Sequence, residues 1–351
     1  MIKILHSADW HMDSPIQGRT PEQSQLLRQA LLRLPQQVAA VAMAQGCDMM
    51  LLAGDLFDGP ASPESIAALR NALEEVRIPV FITPGNHDPL SSVWREHAWP
   101  ENVHIFTSST MESVVPAGLN CRVYGASFAG TEAEGMLDGF RADHKEQYAI
   151  GILHGDPTQA TSPYFPITAD QVSSSNLDYL ALGHIHKGDS FRAGKTLCAW
   201  PGCPMGRGFD ELEEKGVLIV TLDDTVQTRF LPLDTPRFYD WECDAAHDAA
   251  AALSRILPAV GNTNFYRITL TGECEPPDLN ALTKQFSHFP NLALRNRTVP
   301  PLDIWGSAGN DSLEGVYFDM LRRQLADQPE AVELAARISR QILEGLEVVL
   351  P

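Results

Sequence analysis

Five short segments of the chain carry side chains that could bind metal ions. Each segment follows an apolar run of the kind that forms a buried strand. Together they supply carboxylate, imidazole and amide groups, whose oxygen and nitrogen atoms bind divalent transition metals. The segments are Asp9-Trp10-His11, Gly54-Asp55-Leu56-Phe57-Asp58, Gly85-Asn86-His87-Asp88, His154-Gly155 and Gly183-His184-Ile185-His186. Because two adjacent cations can activate water and clamp a phosphoryl group, this pattern predicts a two-metal site for phosphoester hydrolysis.

The seven predicted ligands divide between two cations. A carboxylate has two oxygens and can bridge both ions, and Asp55 suits this role because Gly54 before it lets the backbone approach closely. His184 and His186 alternate along the chain, so they could serve different ions. The first predicted set is Asp9, His11, Asp55 and His186, and the second is Asp55, Asn86, His154 and His184.

Two further residues are predicted to take part in catalysis. His87 follows Asn86, so its side chain should point away from that ligand and towards the substrate. There it could donate a proton to the leaving oxygen or stabilise charge at phosphorus. Asp88 is predicted to orient the His87 ring, whereas Asp58 is predicted to support the site without binding metal. The acidic run Asp210-Glu211-Leu212-Glu213-Glu214 is predicted to be a solvated turn.

Alternating strands and helices must bring these segments together. Apolar runs predict three strands early in the chain, and residues with helical spacing predict a helix in each gap. The strands cover 2–5, 48–53 and 80–83, and the helices cover 23–45 and 62–76. In such an α/β sheet the carboxyl ends of the strands face one crevice. The strand-rich sequence after His87 then predicts a second, facing sheet, giving an α/β (α+β) two-sheet sandwich flanked by helices.

The sequence predicts three domains. The metal-binding pattern ends near Pro232–Pro236, so the first domain is expected to cover residues 1–235. Residues 236–305 have the pattern strand, helix, strand, helix, strand, which predicts a small α/β accessory domain. Residues 306–351 predict a helical C-terminal segment in two parts, divided near Gln328-Pro329.

Composition limits the class of protein and its partners. The longest apolar runs fall short of the roughly 18 residues needed to span a bilayer. The N-terminal residues lack the pattern of a signal peptide. Six cysteines without a C-x-x-C pair suggest reduced thiols, so we expect a cytoplasmic protein without a membrane association.

The net charge of −19 repels nucleic acid at long range. A phosphodiester substrate would therefore be attracted locally, by the metals and a few basic side chains, or by a partner protein. The alternative is that this acidity only keeps the protein in solution.

The five motifs, in this order, resemble those of the calcineurin-type metallophosphoesterases. The matching patterns are D-x-H, G-D-x-x-D, G-N-H-D, H-G and G-H-x-H. More narrowly, several longer segments resemble the SbcD and YhaO-like branch of bacterial DNA repair nucleases, and the similarity covers roughly residues 2–235. These segments are ILHSADWHMDSP, LLAGDLFDGPASPES, ITPGNHD, LDYLALGHIHK and PGCPMGRGFDELEEKG.

This resemblance implies cleavage of DNA phosphodiesters by an exonuclease or endonuclease that uses two divalent ions. Mn²⁺ is the ion that the family implies, although ligands of these types also accept Fe or Zn. The resemblance also implies a partner ATPase of the SMC type with a long coiled coil, and a capping domain at 236–305. His87 would be the catalytic histidine, and Asp58 stands where some relatives carry a second one. The oligomeric state is left open, a homodimer included.

Two other functions remain open at this stage. A small-molecule phosphodiesterase or phosphatase could use the same metal site, because one fold serves many phosphate esters. The accessory domain favours a macromolecular substrate instead. A scaffold with an inactive site is the third candidate, and the complete set of seven ligands argues against it.

Overall fold

The computed structural model describes residues 1–90, 92–212 and 214–348. These residues form two compact units. The first contains Met1–Tyr239 and Thr263–Phe265, and the second contains Asp240–Asn262 and the residues from Tyr266 onward. The three domains expected from the sequence stay a prediction. Within the described ranges, no helix is both long and apolar enough to cross a bilayer.

The first unit is built on strands β1 to β12 and helices α1 to α4. The strands are β1 Ile2–Ser7, β2 Met49–Leu52, β3 Val80–Ile82, β4 Val103–Ile105, β5 Glu112–Val114, β6 Cys121–Gly125, β7 Tyr148–His154, β8 Tyr179–Gly183, β9 Lys187–Ala193, β10 Thr196–Gly202, β11 Gly216–Leu222 and β12 Val226–Pro232. The helices are α1 Pro21–Ala44, α2 Pro63–Val76, α3 Ser92–Glu96 and α4 Ala169–Ser174.

Two six-stranded sheets organise this unit. The strand order is β12-β11-β1-β2-β3-β4 in the first sheet and β5-β6-β7-β8-β10-β9 in the second. Strands β1 to β4 are parallel to one another, as are β6, β7 and β8. All five ligand segments follow parallel strands, namely β1, β2 and β3 of one sheet and β7 and β8 of the other. The predicted α/β two-sheet architecture is confirmed.

Three layers of apolar side chains hold the sheets and helices together. One layer lies between the first sheet and its helices and includes Leu27 of α1 and Leu69 of α2. The second lies between the two sheets, where Ile4 of β1 and Ile150 of β7 are fully buried. The third covers the other face of the second sheet and includes Val172 of α4. Because these strands are covered on both faces, β2 and β7 are buried at every residue and β1 at every residue except Lys3.

Local sequence explains where the two longest helices of this unit begin. Thr20 and Gln23 form a capping box in front of α1, and Ser62 caps α2 by accepting a hydrogen bond from the main chain of Ser65. Pro21 occupies the first turn of α1, where its missing N–H is not needed. Helix α1 continues through Pro35 as one element.

The second unit contains most of a smaller sheet and, within the described residues, four helices. Its remaining elements are β13 Phe238–Asp244, α5 Ala249–Ile256, β14 Phe265–Thr271, α6 Leu279–Gln285, β15 Leu292–Asn296, α7 Leu313–Arg323 and α8 Pro329–Leu343. The sheet order is β13-β14-β15. Helices α7 and α8 are joined by Arg340, which donates to Glu314 at 2.5 Å and lies 4.4 Å from the centre of the Phe318 ring.

Gly183 marks a point where the two sheets approach closely. It ends β8 of the second sheet, and a Cβ atom placed there would overlap the carbonyl oxygen of Ala53 and crowd Ala8. Both of those residues follow strands of the first sheet. The absence of a side chain at position 183 therefore lets ligand segments from the two sheets meet.

We expect Gly183→Ala to lower the free energy of unfolding by about 3 kcal/mol, because backbone must move to admit the new methyl group. Urea denaturation followed by circular dichroism would measure the change. Gly130→Ala is the matched control, because no heavy atom lies within 4 Å of a Cβ at that position. Equal stabilities of the two variants would contradict this account of the sheet contact.

Candidate metal centre

The ligand segments leave their strands through left-handed backbone conformations. The φ angles are 57° at Asp9, 47° at His11, 52° at Asp55 and 99° at His184. Such angles are uncommon outside glycine, cost on the order of 1–3 kcal/mol each and cluster at functional sites. The turns are held by the main chain, since Asp9 N–H donates to Gly54 O at 3.0 Å and His11 N–H donates to Asp55 O at 2.9 Å.

The structure brings the side chains of the seven predicted ligands into two neighbouring groups. Within each group, one ligand atom from each of three residues lies within 4.8 Å of the others. The first group is Asp9, His11 and His186, and the second is Asp55, His154 and His184. Asn86 belongs to the second, because its Oδ1 lies 3.0 Å from His154 Nε2 and 3.2 Å from His184 Nδ1. These groups follow the predicted division, and their binding of metal stays a prediction.

Asp55 lies between the two groups. Its Oδ2 is 3.2 Å from His154 Nε2 in the second group and 3.7 Å from His11 Nε2 in the first. Its Oδ1 accepts the main-chain N–H of His87 at 2.8 Å. Burial alone would raise the pKa of Asp55, but the neighbouring His154 holds it below the usual range. Asp55 is therefore an ionised carboxylate in reach of both groups.

The donor atoms of these groups converge, as expected for a site that fits a cation. His154 Nδ1 donates to the carbonyl of Ala53 at 2.9 Å, so Nε2 is the nitrogen that faces the oxygens of Asp55 and Asn86. Burial lowers the pKa of His154, but the charge of Asp55 raises it to about 9 overall, so Nε2 carries a proton that a bound cation would replace. In the first group Asp9 Oδ2 is buried without a hydrogen-bond partner. Buried polar atoms are normally satisfied, and a divalent cation at each group would satisfy these. The donor set of carboxylate, imidazole and amide suits such an ion.

Two histidines of the groups are held in the neutral form that ligates metals. Burial, followed by the positive charge of Arg207, lowers the pKa of His11 to about 2. Burial, followed by the adjacent His154, lowers the pKa of His184 to about 4. Both rings are therefore neutral near pH 7, with a nitrogen lone pair available to an ion.

His87 lies beside the first group and faces outward. Its side chain is 45% exposed, and its ring meets the His11 ring edge to face at 4.7 Å between centroids. His87 Nδ1 donates to Asp58 Oδ1 at 2.7 Å. Asp58 thus supports the site as predicted, and it fixes the orientation of this imidazole.

The predicted role of Asp88 is wrong. Its carboxylate is buried and accepts main-chain N–H groups of Asp55, Leu56, Phe57 and Gly85, at 2.8 to 3.2 Å. The side chain therefore points into the protein, where it holds three N–H groups of the turn after β2 and one N–H group of the turn after β3. The ring of His87 is oriented by Asp58 instead.

The acidic run at 210–214 contains a residue that sequence reasoning missed. Glu211 was expected to be solvated, but it is buried, and its Oε1 accepts a hydrogen bond from His186 Nδ1 at 2.6 Å. Arg207 donates to the same carboxylate at 2.7 Å. Arg207 and Glu211 lie outside any helix of the described residues, so their four-residue spacing gave no helical signal of this contact. Glu213 of the same run lies outside the described residues.

Sequence comparison identifies the family of this protein, and the fold and the site agree with it. Residues 2–188 match the family model for calcineurin-like phosphoesterases, and the chain belongs to that family. Members are phosphoester hydrolases that use divalent metals, so the two ligand groups lie where a metal is expected.

Three relatives show which members of the family this chain resembles in sequence. The chain is 34% identical over 232 residues to the uncharacterized metallophosphoesterase YhaO of Bacillus subtilis, covering 62% of this chain and 57% of that protein. It is 24% identical over 333 residues to the SbcD component of the nuclease SbcCD of Staphylococcus epidermidis, covering 84% and 85%. The SbcD component of B. subtilis is 24% identical over 258 residues, covering 60% and 63%. The chain thus spans less than two thirds of both B. subtilis relatives.

We expect the protein to bind about two Mn²⁺ ions per chain, and Asp55→Asn to lower binding at both positions, because one carboxylate reaches both groups. Metal content after dialysis, measured by inductively coupled plasma mass spectrometry, tests this. Asp224→Asn, in the exposed turn between β11 and β12, should retain both ions. Full loading of Asp55→Asn would show that this carboxylate does not bridge.

Proposed function

We propose that this phosphoesterase is a two-metal nuclease, an exonuclease or endonuclease that hydrolyses DNA phosphodiester bonds in repair together with an SMC-like ATPase. The observation that carries the proposal is the position of Asp55 between two ligand groups, with the exposed imidazole of His87 beside them. Two divalent cations, with Mn²⁺ the expected ion, would activate water and neutralise charge on the phosphoryl group.

His87 would assist the departure of the leaving group. Hydrolysis breaks the bond between phosphorus and the leaving oxygen, and that oxygen then needs a proton. Asp58 accepts the Nδ1–H of His87, so Nε2 is the nitrogen that faces a bound ester. With both ring nitrogens protonated, Nε2–H can donate to that oxygen or stabilise charge on the phosphoryl group.

Two features favour DNA as the substrate. The SbcD component of S. epidermidis aligns with 84% of this chain, and its name describes it as a subunit of a nuclease. The second unit adds a small α/β sheet and four helices to the phosphoesterase domain, and such additions suit a large substrate more than a small one. A partner with a basic surface would offset the repulsion between DNA and a chain of net charge −19.

A small-molecule phosphodiesterase or phosphatase is the second candidate. The same net charge of −19 favours it, because a strongly acidic protein repels a polyanion more than it repels a small monoanionic diester. The metal groups themselves serve either substrate.

We expect the protein to cleave labelled duplex or hairpin DNA in the presence of Mn²⁺, and His87→Ala to reduce the rate by about 10²-fold to 10⁴-fold, because general acid catalysis contributes this much. The variant should retain its bound metal. Gel analysis of the DNA products, with metal content measured on the same samples, provides both readouts.

His97→Ala is the control for that experiment, since His97 is an exposed histidine outside the ligand groups. Turnover of bis-p-nitrophenyl phosphate without cleavage of any DNA would favour the small-molecule candidate. Full metal loading without either activity would favour an inactive scaffold.

The C-terminal apolar surface supports the proposed ATPase partner. We define it as the stripe Leu313, Val316 and Met320 on α7 with Ile342 and Leu343 at the end of α8. Leu313 is 90% exposed, Ile342 62% and Met320 58%. Leu313, Ile342 and Leu343 also line a groove of about 630 Å³. Contiguous exposed apolar residues mark binding surfaces, and a helix of a coiled coil can lie in a groove between two helices.

We expect Ile342→Glu to abolish co-purification with an SMC-like ATPase co-expressed from the same genome, because a charge would be buried in the apolar contact. Size-exclusion chromatography of the co-expressed pair is the measurement. Val299→Glu changes another exposed apolar residue, 58% accessible, and should leave the complex intact. If the Ile342→Glu variant still co-purifies with the ATPase, the C-terminal apolar surface is not the binding site.

A further inference from the structure

Glu211 and Arg207 form a charged pair beside the metal centre that none of the five ligand motifs contains. Glu211 is 6% exposed, and Arg207 is largely buried, with 17% of its side chain exposed. Charged side chains are rarely buried unless they are paired, and here the pair also contacts His186, a proposed ligand.

The hydrogen bonds of Glu211 determine which nitrogen of His186 carries a proton. A carboxylate only accepts hydrogen bonds, so His186 Nδ1 must be the donor in the 2.6 Å contact with Oε1. In a neutral ring Nε2 then has the lone pair. That nitrogen lies 3.1 Å from His11 Nε2, inside the first ligand group.

Arg207 fixes Glu211 in turn. Its Nη2 donates to Oε1 at 2.7 Å, its Nε to Oε2 at 3.3 Å and its main-chain N–H to Oε2 at 2.8 Å. Nη1 donates to Ser14 Oγ at 3.3 Å, which ties the guanidinium to the loop after His11. A carboxylate with three contacts from one arginine has little freedom to rotate away from the imidazole.

A competing interpretation is a separate metal site formed by His186, Cys203 and Glu211, whose ligand atoms lie within 4.8 Å of one another. The hydrogen bonds argue against it. Both oxygens of Glu211 already accept from Arg207, and Cys203 Sγ donates to the carbonyl oxygen of His186 at 3.7 Å. A cation there would also lie next to the guanidinium, which repels it.

The two ligand groups differ in how one histidine of each is oriented. His154, in the second group, is held by a main-chain carbonyl, that of Ala53. His186, in the first group, is held by the side chain of Glu211. A substitution at position 211 therefore changes the support of one group and leaves the other unchanged.

We propose that Glu211, clamped by Arg207, is a positioning residue that holds His186 in the tautomer ligating through Nε2, and that it selectively sets the affinity of the first ligand group for its cation. The inference rests on the proposed two-metal function. Loss of a carboxylate partner behind a ligating histidine typically costs 10-fold to 100-fold in metal affinity.

A titration with Mn²⁺ alone, in which the electron paramagnetic resonance signal reports the free ion, tests the inference without a substrate. Glu211→Gln should lower the affinity for one of the two Mn²⁺ ions by about 10-fold to 100-fold and leave the affinity for the other unchanged. Glu214→Gln is the matched control, because that side chain is 58% exposed and pairs with Arg237. Arg207→Gln retains the carboxylate and should cause a smaller loss at the same ion.

Double variants identify which ion is affected. Adding Glu211→Gln to Asp9→Asn should lower the Mn²⁺ affinity little further, because both changes act on the first group and their effects need not add. Adding Glu211→Gln to Asn86→Ala should weaken the binding of the ion in the first group, which Asn86→Ala alone leaves tightly bound. Equal weakening of both ions, or no weakening, would overturn the inference, provided that thermal melts show folded protein. A parent protein that binds no Mn²⁺ would instead refute the proposed function, so the two failures can be told apart.

Discussion

The structure depends on the burial of several carboxylates and imidazoles at one place between two sheets. Asp9 and Asp55 are each about 1% exposed, and His154 is fully buried between them. Isolated buried charges are costly, so such a cluster persists only when its members compensate each other or bind an ion. Asp55 and His154 compensate in part, since each shifts the pKa of the other towards its charged form. The unsatisfied Asp9 Oδ2 remains for a cation.

The scaffold around this cluster is arranged to keep it in place. The left-handed conformations at Asp9, His11 and Asp55 are unfavourable locally, and the surrounding main-chain hydrogen bonds offset them. Asp88 contributes most directly, because its carboxylate gathers the N–H groups of the turn that presents Asp55. The strained turns therefore belong to a preorganised site, in which ligands need little rearrangement to receive an ion.

The sequence predicted which potential ligands gather at one place better than it predicted the residues that support them. The ligand motifs could be recognised because each is local, follows a strand and contains only metal-binding residue types. Asp88 and Glu211 were misjudged because their partners are distant in sequence, as in the contact of Glu211 with His186. An acidic run looks solvated by composition alone, and only the fold shows which member turns inward. The α/β sheets could be predicted from apolar runs, whereas the contact of the two sheets at Gly183 depends on residues distant in sequence and is visible only in the fold.

His154 and His186 are supported by different groups, and this difference bears on how such proteins diverge. A main-chain carbonyl, such as the one behind His154, is present whatever residue occupies its position, so drift in sequence leaves it intact. The carboxylate behind His186 is encoded by a single codon and can be gained, lost or exchanged. A substitution at position 211 would therefore alter the support of one proposed metal site, while the main-chain support of the other stays whatever the side chain at position 53.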